Sequence, residues 1–194
     1  MPSSDNPSGQ RIEQAFAYCP RCGTPNATPG SIPFQCGDCG LAIYFGPVAA
    51  VGGLVVDEQN RLLLVRRARD PGKHQWGLPG GFVDRGETAY EALAREIQEE
   101  TQLILCHHEL LTTGPNLYTH TGATADVLDM FFVCRVVATH PVELAASELC
   151  EYRWCVPDEE ILGNMAFPSN RIAVELWLSR RVSDGGAPAV PEKQ

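Results

Sequence analysis

The chain has 194 residues, of which 44% are hydrophobic and 20% are charged. This is enough for one domain of ordinary size with a small appendage, and the hydrophobic share is normal for a packed core. The formal net charge is -9 and Lys and Arg form no block, which argues against broad capture of nucleic acid through its phosphates. The longest apolar runs, 48–56 and 127–137, are too short and too interrupted to span a membrane.

Both ends of the chain are predicted to be disordered tails, over residues 1–16 and 183–194. The former is too polar to fold alone and the latter is rich in Gly and Pro. The first ten residues have no basic start and no apolar stretch, so we predict no signal peptide and expect a cytoplasmic protein. Eight cysteines in that compartment are expected to be metal ligands or buried thiols before disulfides.

Two C-x-x-C pairs within residues 17–46 predict a zinc ribbon. Cys19 and Cys22 form the first pair, and Cys36 and Cys39 form the second. Two such knuckles supply four sulfurs in the tetrahedron that Zn²⁺ accepts in a closed structural site. A segment this short cannot bury a stabilising core, so the metal is expected to supply its folding free energy. The alternative is a pair of redox-active dithiols, and the ribbon could serve as a structural cap, a dimer contact or a substrate-recruiting surface.

The main domain is predicted over residues 47–182. Its order of strands and helices indicates an α+β sandwich with a mixed sheet. The predicted strands are 48–56, 61–66, a short one around Trp76, 110–119, 128–138 and 153–156, and the predicted helices are 88–101 and 169–181.

Three carboxylates converge at the end of the first predicted helix. At 100° per residue, Glu96, Glu99 and Glu100 fall within one arc of about 100°. Like charges at these spacings disfavour a bare helix, so the arrangement calls for a cation. Mg²⁺ or Mn²⁺ suits such oxygen ligands and binds substrate phosphate as well. The alternative is a solvated acidic helix face.

The loop before the helix supplies further candidate residues. Gly81 allows the loop to fold back onto the helix, and we place it beside the bound cofactor. Glu87 and Arg95 are expected to pin the loop to the helix or to orient the acidic ligands.

In combination these residues resemble the Nudix hydrolase family, whose box is Gly-x5-Glu-x7-Arg-Glu-U-x-Glu-Glu-x-Gly-U, with U aliphatic. The matching residues are Gly81, Glu87, Arg95, Glu96, Ile97, Glu99, Glu100 and Leu103. One position departs, because Gln102 stands where the family has its last Gly. It either costs about 1 kcal/mol in a left-handed helix end or lets the helix run on.

The resemblance implies an α/β/α sandwich of the Nudix type with a mixed sheet, preceded by the zinc ribbon. It implies Mg²⁺-dependent hydrolysis of a pyrophosphate bond in a nucleoside diphosphate derivative such as ADP-ribose, FAD or NAD(H). The products would be a nucleoside monophosphate and a phosphate ester. The ribbon is similar to that of NADH pyrophosphatases, although their Ser-Gln-Pro-Trp-Pro-Phe-Pro signature is absent and residues 165–170 stand in its place. The ribbon, the box and this segment together look closer to the plant FAD pyrophosphatase type and its bacterial relatives. Homodimers are common in the family.

A further carboxylate is needed to take the proton of the attacking water. Glu148 and Glu151 are the candidates, since the family often places a catalytic acid in that region, although either could be an ordinary loop acid. Two other functions stay open. The substrate could be an oxidised nucleoside triphosphate, or the domain could be a non-catalytic nucleotide sensor.

Overall fold

The computed structural model describes residues 9–183. They form two compact units, one made of residues 9–48 with Leu117–Val127 and the other of Ala49–Asn116 with residues 128–183. The predicted tails at 1–8 and 184–194 lie outside the described residues. Within the described part, no helix combines the length and the apolar character that crossing a bilayer requires.

The first unit contains only short elements. Its strands are β1 (Gln10–Arg11), β2 (Phe34–Gln35) and β3 (Ala42–Ile43), and a 3₁₀ helix covers Ile12–Ala15. Strands β2 and β3 pair antiparallel on either side of the second cysteine pair, with Phe34 opposite Ile43. Phe34 is buried together with Cys19 and Cys36. This core is small, as the sequence predicts for a ribbon.

Residues 9–16, the second half of the tail predicted over residues 1–16, carry strand β1 and the 3₁₀ helix in the structure. Strand β1 pairs in parallel with Ala123 and Thr124, and Arg11 Nη1 lies 2.6 Å from Asp126 Oδ1. Backbone pairing and an ion pair therefore order a segment whose own composition could not. The same contacts make Leu117–Val127 part of this unit, so the predicted boundaries at 17–46 and 47–182 do not separate the compact units.

The second unit carries the longer elements. Its strands are β4 (Val48–Val55), β5 (Leu62–Arg67), β6 (Trp76–Gly77), β7 (Leu105–His120), β8 (Ala123–Val136) and β9 (Leu149–Cys155), and its helices are α1 (Ala89–Thr101), α2 (Glu159–Gly163) and α3 (Pro168–Ser183). Strands β7 and β8 extend into the first unit at their shared hairpin end. One sheet joins β8 to β1, β4 and β7, and the other has the order β6-β5-β9.

Alternation along β5 shows the layers of this unit. Leu62 and Leu64 belong to a buried cluster that includes residues of α2 and α3, whereas Leu63 and Val65 belong to a second cluster that includes residues of α1. Because successive strand residues point to opposite faces, the sheets lie between α1 on one side and α2 and α3 on the other. The predicted α/β/α sandwich is confirmed.

The predicted elements agree with these bounds best where the local pattern is strong. Strands β4 and β5 and helices α1 and α3 fall within two residues of prediction at each end, and Ser183 ends α3 instead of beginning a tail. Strands β7, β8 and β9 begin four or more residues earlier than predicted, and α2 was missed. Helix α2 has five residues and depends on the Asp158 carboxylate, which accepts a hydrogen bond from the Ile161 N–H at 2.9 Å.

Gln102 ends helix α1 in the left-handed conformation. Its φ is 58° and ψ is 14°, and its N–H donates to the carbonyl oxygen of Gln98 at 2.9 Å. Of the two expectations for this position, the structure therefore shows the strained helix end, and the helix does not run on. A residue with a Cβ adopts this conformation at a cost of about 1 kcal/mol.

Candidate functional site

Helix α1 begins at a fixed residue because Thr88 caps its first turn. Thr88 Oγ1 accepts a hydrogen bond from the Glu91 N–H at 3.2 Å, and the Glu91 carboxylate accepts one from the Thr88 N–H at 2.8 Å. This reciprocal capping box fixes the start of the helix. The start determines which carboxylates of the last two turns face the sheet: Glu100 is buried, Glu96 is half-buried and Glu99 is exposed.

The loop before the helix lies against β4. The Val51 N–H donates to the carbonyl oxygen of Gly81, and the Gly53 N–H donates to that of Pro79, both at 2.8 Å. At Gly80, φ is 150° and a Cβ would overlap the carbonyl oxygen of Val51. Only glycine allows this close approach of the two backbones.

Gly81 leaves room for a carboxylate of the helix. A Cβ at this position would lie 2.5 Å from Glu96 Oε1, well inside contact distance. The structure thus brings the predicted residues Gly81 and Glu96 together. The role of Gly81 beside a bound cofactor stays a prediction.

Glu100 is a buried carboxylate with a single short backbone partner. Glu100 is only 7% exposed, and its Oε2 accepts a hydrogen bond from the Gly80 N–H at 2.9 Å. Burial raises the pKa of Glu100 to about 8, and the nearby charges of Glu96 and Glu148 add to this effect. The site therefore favours a cation that would neutralise this group.

Arg95 links the loop to the acidic end of the helix. Its Nε and Nη2 donate to the two oxygens of Glu87 at 2.8 and 3.0 Å. Its Nη1 donates to Glu96 at 2.8 Å and to Glu99 at 3.1 Å. Hydrogen bonds from Arg95 lower the pKa of Glu87 to about 2. Glu87 and Arg95 thus form the predicted link between loop and helix.

The three helix glutamates share one end of α1 without forming a tight set. Within residues 9–183, only the four ribbon cysteines bring three or more ligand atoms within 4.8 Å of one another. Arg95 holds Glu96 and Glu99 while the Gly80 N–H holds Glu100. Carboxylate oxygens are nevertheless the ligands that Mg²⁺ and Mn²⁺ prefer. The burial of Glu96 and Glu100 favours neutralisation of their charge by such a cation.

Glu148 lies beside the helix glutamates because its loop is tied to α1. The Ala145 N–H donates to the carbonyl oxygen of Glu100 at 3.1 Å, and the Glu148 N–H donates to that of Ala145 at 2.8 Å. Burial is the main cause of the raised pKa of Glu96, and the charge of Glu148 adds to it. The Glu148 carboxylate also lies 2.6 Å from Arg69 Nη2.

Glu151 lies in a different environment from Glu148. It stands opposite Arg66 in the β5–β9 pairing, and its Oε2 lies 2.9 Å from Arg66 Nη1. Arg66 follows Leu62 and Leu64 in the alternation of β5, and its guanidinium lies over the ring of Trp76, a residue of the cluster on the α2 and α3 side. The two candidate bases are thus not brought together.

Arg67 is a residue of this site that the sequence analysis did not single out. Its charge acts on Glu100, where it lowers the pKa and so opposes the larger effect of burial. Its guanidinium also lies 5.2 Å from the ring centroid of Phe167. The sequence offers no signal that separates Arg67 from Arg66. What separates them is an irregularity in the pairing of β5 with β9, which falls between the two residues and is visible only in the structure.

Comparison with known proteins identifies the family. A family model described as a NUDIX domain matches residues 46–176, more than half of the chain. The chain belongs to the Nudix family. The matched region includes every matching residue of the Nudix box and both Glu148 and Glu151.

The Nudix relatives differ in the chemistry that their names give. An ADP-ribose pyrophosphatase of Methanocaldococcus jannaschii is 48% identical over 62 residues, 32% of this chain and 36% of its own length. An NAD-capped RNA hydrolase NudC of Vibrio atlanticus is 32% identical over 163 residues, 80% of this chain and 56% of its own length. The chain thus spans between about a third and somewhat over half of these two proteins.

A solved Nudix structure supports the fold over most of the chain. The Nudix hydrolase from Nitrosomonas europaea has a TM-score of 0.62 and 23% identity, covering 90% of this chain and 96% of that one. At this identity the likeness shows the fold alone.

The cysteines in front of the Nudix domain form a candidate metal centre. Cys19 Sγ lies 3.7 Å from Cys39 Sγ, and Cys22 Sγ lies 3.6 Å from Cys36 Sγ, with all four sulfurs within 4.8 Å of one another. Zinc–sulfur bonds of about 2.3 Å in a tetrahedron require sulfurs about 3.8 Å apart. A disulfide needs about 2.05 Å. The four sulfurs therefore fit the predicted Zn²⁺ site.

Proposed function

We propose that this Nudix protein is a Mg²⁺- or Mn²⁺-dependent pyrophosphohydrolase that cleaves a nucleoside diphosphate derivative such as ADP-ribose, FAD or NAD(H). The observation that carries the proposal is the buried Glu100 carboxylate, flanked by Glu96 and Glu148 at the end of α1. Such an accumulation of negative charge in a low dielectric is unfavourable without a cation. The names of the two relatives support a substrate with a nucleotide diphosphate linkage.

Glu96, Glu99 and Glu100 would hold the divalent ion. When bound, the ion would neutralise the charge that develops on the phosphate oxygens. Arg95 keeps Glu96 and Glu99 oriented through its Nη1, and the Gly80 N–H keeps the Glu100 carboxylate directed at the loop. Such residues act by positioning the ligands, as Glu87 does through Arg95.

Glu148 is the better candidate for the general base. Water must lose a proton as its oxygen forms a bond to one phosphorus, and the bridging P–O bond must break to release the second phosphate ester. Glu148 lies close enough to Glu96 and Glu100 to raise the pKa of each, after the larger effect of burial. Both candidates are ion-paired, Glu148 with Arg69 and Glu151 with Arg66 and Arg153. They differ in place, because the partners of Glu151 lie over the ring of Trp76. The proton would therefore pass to the Glu148 carboxylate.

The four cysteines would hold a structural Zn²⁺. Within residues 17–46, the buried core consists of Cys19, Phe34 and Cys36, which is too little apolar area to stabilise a fold alone. Zinc binding would supply that free energy.

Product release from a substrate panel tests the proposal. ADP-ribose, FAD, NADH and a set of nucleoside triphosphates are incubated with Mg²⁺ and either the wild type or the Glu99→Gln variant, and Glu58→Gln, an exposed turn residue, is the control. We expect AMP release from at least one dinucleotide or ADP-ribose substrate. Glu99→Gln is expected to lower kcat by about a hundredfold or more, through loss of charge stabilisation, while Glu58→Gln stays near wild type.

The same panel separates the alternatives. Turnover restricted to oxidised nucleoside triphosphates would replace the proposed substrate class. Binding of a nucleotide without turnover by the wild type would support a sensor. For the base, Glu148→Gln is expected to lower kcat by about 10²- to 10⁴-fold, and the reverse ranking of Glu148→Gln and Glu151→Gln would contradict the assignment.

A further inference from the structure

A second pocket lies at the far end of α3, on the sheet face opposite the glutamates. Its floor is apolar and consists of Val56, Leu111, Val133 and Trp177, which belong to or pack against the cluster on the α2 and α3 side. Helix α1 packs against the other face of the sheet, in the cluster that includes Leu63 and Val65. The pocket is therefore separate from the site at the end of α1.

Three arginines line this pocket. Arg135 is held in place because its Nη1 donates to the carbonyl oxygens of Val56 at 3.0 Å and Asp57 at 2.8 Å. The Asp57 carboxylate is committed to Arg61, whose Nε lies 2.7 Å from Asp57 Oδ2. Two neutral carbonyls thus fix the Arg135 guanidinium without cancelling its charge.

Arg180 and Arg181 line the pocket from the last turn of α3. The Arg181 guanidinium lies 4.8 Å from the ring centroid of Trp177, which is only 5% exposed. This cation–π contact limits the positions that the side chain can adopt. Both charges also favour the carboxyl end of the helix, which explains why they are tolerated there but not why they converge with Arg135.

The charge of the pocket is the opposite of that of the chain. Within residues 9–183, no carboxylate oxygen lies within ion-pair distance of Arg135, Arg180 or Arg181. Glu109, which is exposed, is the acidic residue among the lining residues. Three guanidinium groups and one carboxylate give the pocket a positive charge, although the chain has a net charge of -9. Such a pocket attracts an anion.

We propose that this pocket binds a small phosphate monoester. Guanidinium groups present paired N–H donors that match phosphate oxygens, and the apolar floor can cover the organic part of the ligand. The cavity has a volume of about 240 Å³, below the range of about 300–1,000 Å³ typical of sites for larger ligands. A ligand with a single phosphorylated unit fits a cavity of this volume.

A titration with ribose 5-phosphate, monitored by ³¹P NMR, tests this site. The buffer contains no Mg²⁺, so that the glutamates of α1 contribute little to phosphate binding. The test variant is Arg180→Gln/Arg181→Gln, since both residues lie at a helix end. The control is Arg171→Gln, which removes an exposed arginine of the same helix that is paired with Glu175. Glu109→Gln removes the opposing carboxylate. Succinate serves as a comparison anion and is detected by its displacement of ribose 5-phosphate, because it has no phosphorus signal of its own.

We expect saturable binding of ribose 5-phosphate by the wild type and by Arg171→Gln. The Arg180→Gln/Arg181→Gln variant is expected to bind at least about tenfold more weakly, and Glu109→Gln more tightly than wild type. Equal binding by the double variant, absence of saturable binding by the wild type, or succinate binding as tight as the phosphate ester would each overturn the proposal. Native circular dichroism of each variant confirms that it is folded.

Discussion

Replacing Glu100 by Gln should stabilise the metal-free protein at alkaline pH. The pKa of Glu100 is raised from 4.5 to about 8, mainly by burial. Because its pKa is raised in the folded state, Glu100 makes its full favourable contribution to the free energy of unfolding below the unfolded pKa of 4.5. This contribution is lost as the pH rises through about 8. The wild type should therefore lose stability over this interval, and Gln, which does not ionise, should not.

The structure limits the size of this effect. A pKa change from 4.5 to about 8 corresponds to at most about 5 kcal/mol once the group is ionised. The Gln side chain can still accept the hydrogen bond from the Gly80 N–H, but its buried NH₂ group costs about 1–3 kcal/mol if it finds no acceptor. The expected net gain in the free energy of unfolding is about 2–4 kcal/mol at about pH 9, and near zero or slightly negative at about pH 5.

Urea unfolding followed by tryptophan fluorescence measures this effect, because all three tryptophans lie in the second unit. Zinc is kept constant and Mg²⁺ is omitted. Glu99→Gln is the control, since the Glu99 side chain is 61% exposed and its ion pair with Arg95 should contribute less than about 1 kcal/mol. Added Mg²⁺ should stabilise the wild type more than Glu100→Gln. If Glu100→Gln and the wild type keep the same difference in stability at both pH values, the burial argument is refuted.

Three further substitutions test separate parts of the structure. Gln102→Gly should raise the free energy of unfolding by about 1 kcal/mol, because glycine adopts the left-handed helix end without strain, and thermal unfolding measures this. Gly81→Ala should lower hydrolytic activity while leaving the fold intact, because its Cβ displaces the Glu96 carboxylate. Cys36→Ser should abolish the binding of one Zn²⁺ per chain, measured by metal analysis, whereas Cys106→Ser should not.

For each of these substitutions, one outcome would contradict the prediction. An unchanged or lower melting temperature for Gln102→Gly would mean that the helix end is not strained. Full activity in Gly81→Ala would show that the Glu96 carboxylate needs no space at that position. Zinc retained by Cys36→Ser, or lost from Cys106→Ser, would contradict the four-sulfur site.

The sequence predicts that three glutamates share the end of α1, because that geometry is local. Glu96, Glu99 and Glu100 lie within one helical turn and a half, so the period of the helix alone places them together. Arg95 and Glu87 are eight residues apart and are connected by the Thr88 cap and the first turns of α1. The zinc ligands are predicted for the same reason, since each C-x-x-C pair is a local unit.

The rest depends on pairings between distant segments. Glu148 and Glu151 are three residues apart, but their environments differ. The backbone of Ala145 is hydrogen-bonded to that of Glu100, whereas Glu151 pairs with Arg66 of β5. Strand β1 forms because of contacts with residues more than a hundred positions away. No periodicity in the sequence encodes such contacts.

Binding of Mn²⁺, monitored by electron paramagnetic resonance, tests most directly whether the carboxylates of α1 bind a divalent ion together with a bound diphosphate. Zinc-loaded wild type should remove the signal of free Mn²⁺, and ADP-ribose should increase the amount bound. The Glu96→Gln/Glu99→Gln variant should leave most of the Mn²⁺ free under the same conditions. Equal binding by both proteins, unaffected by ADP-ribose, would contradict the assignment of these carboxylates as the metal ligands.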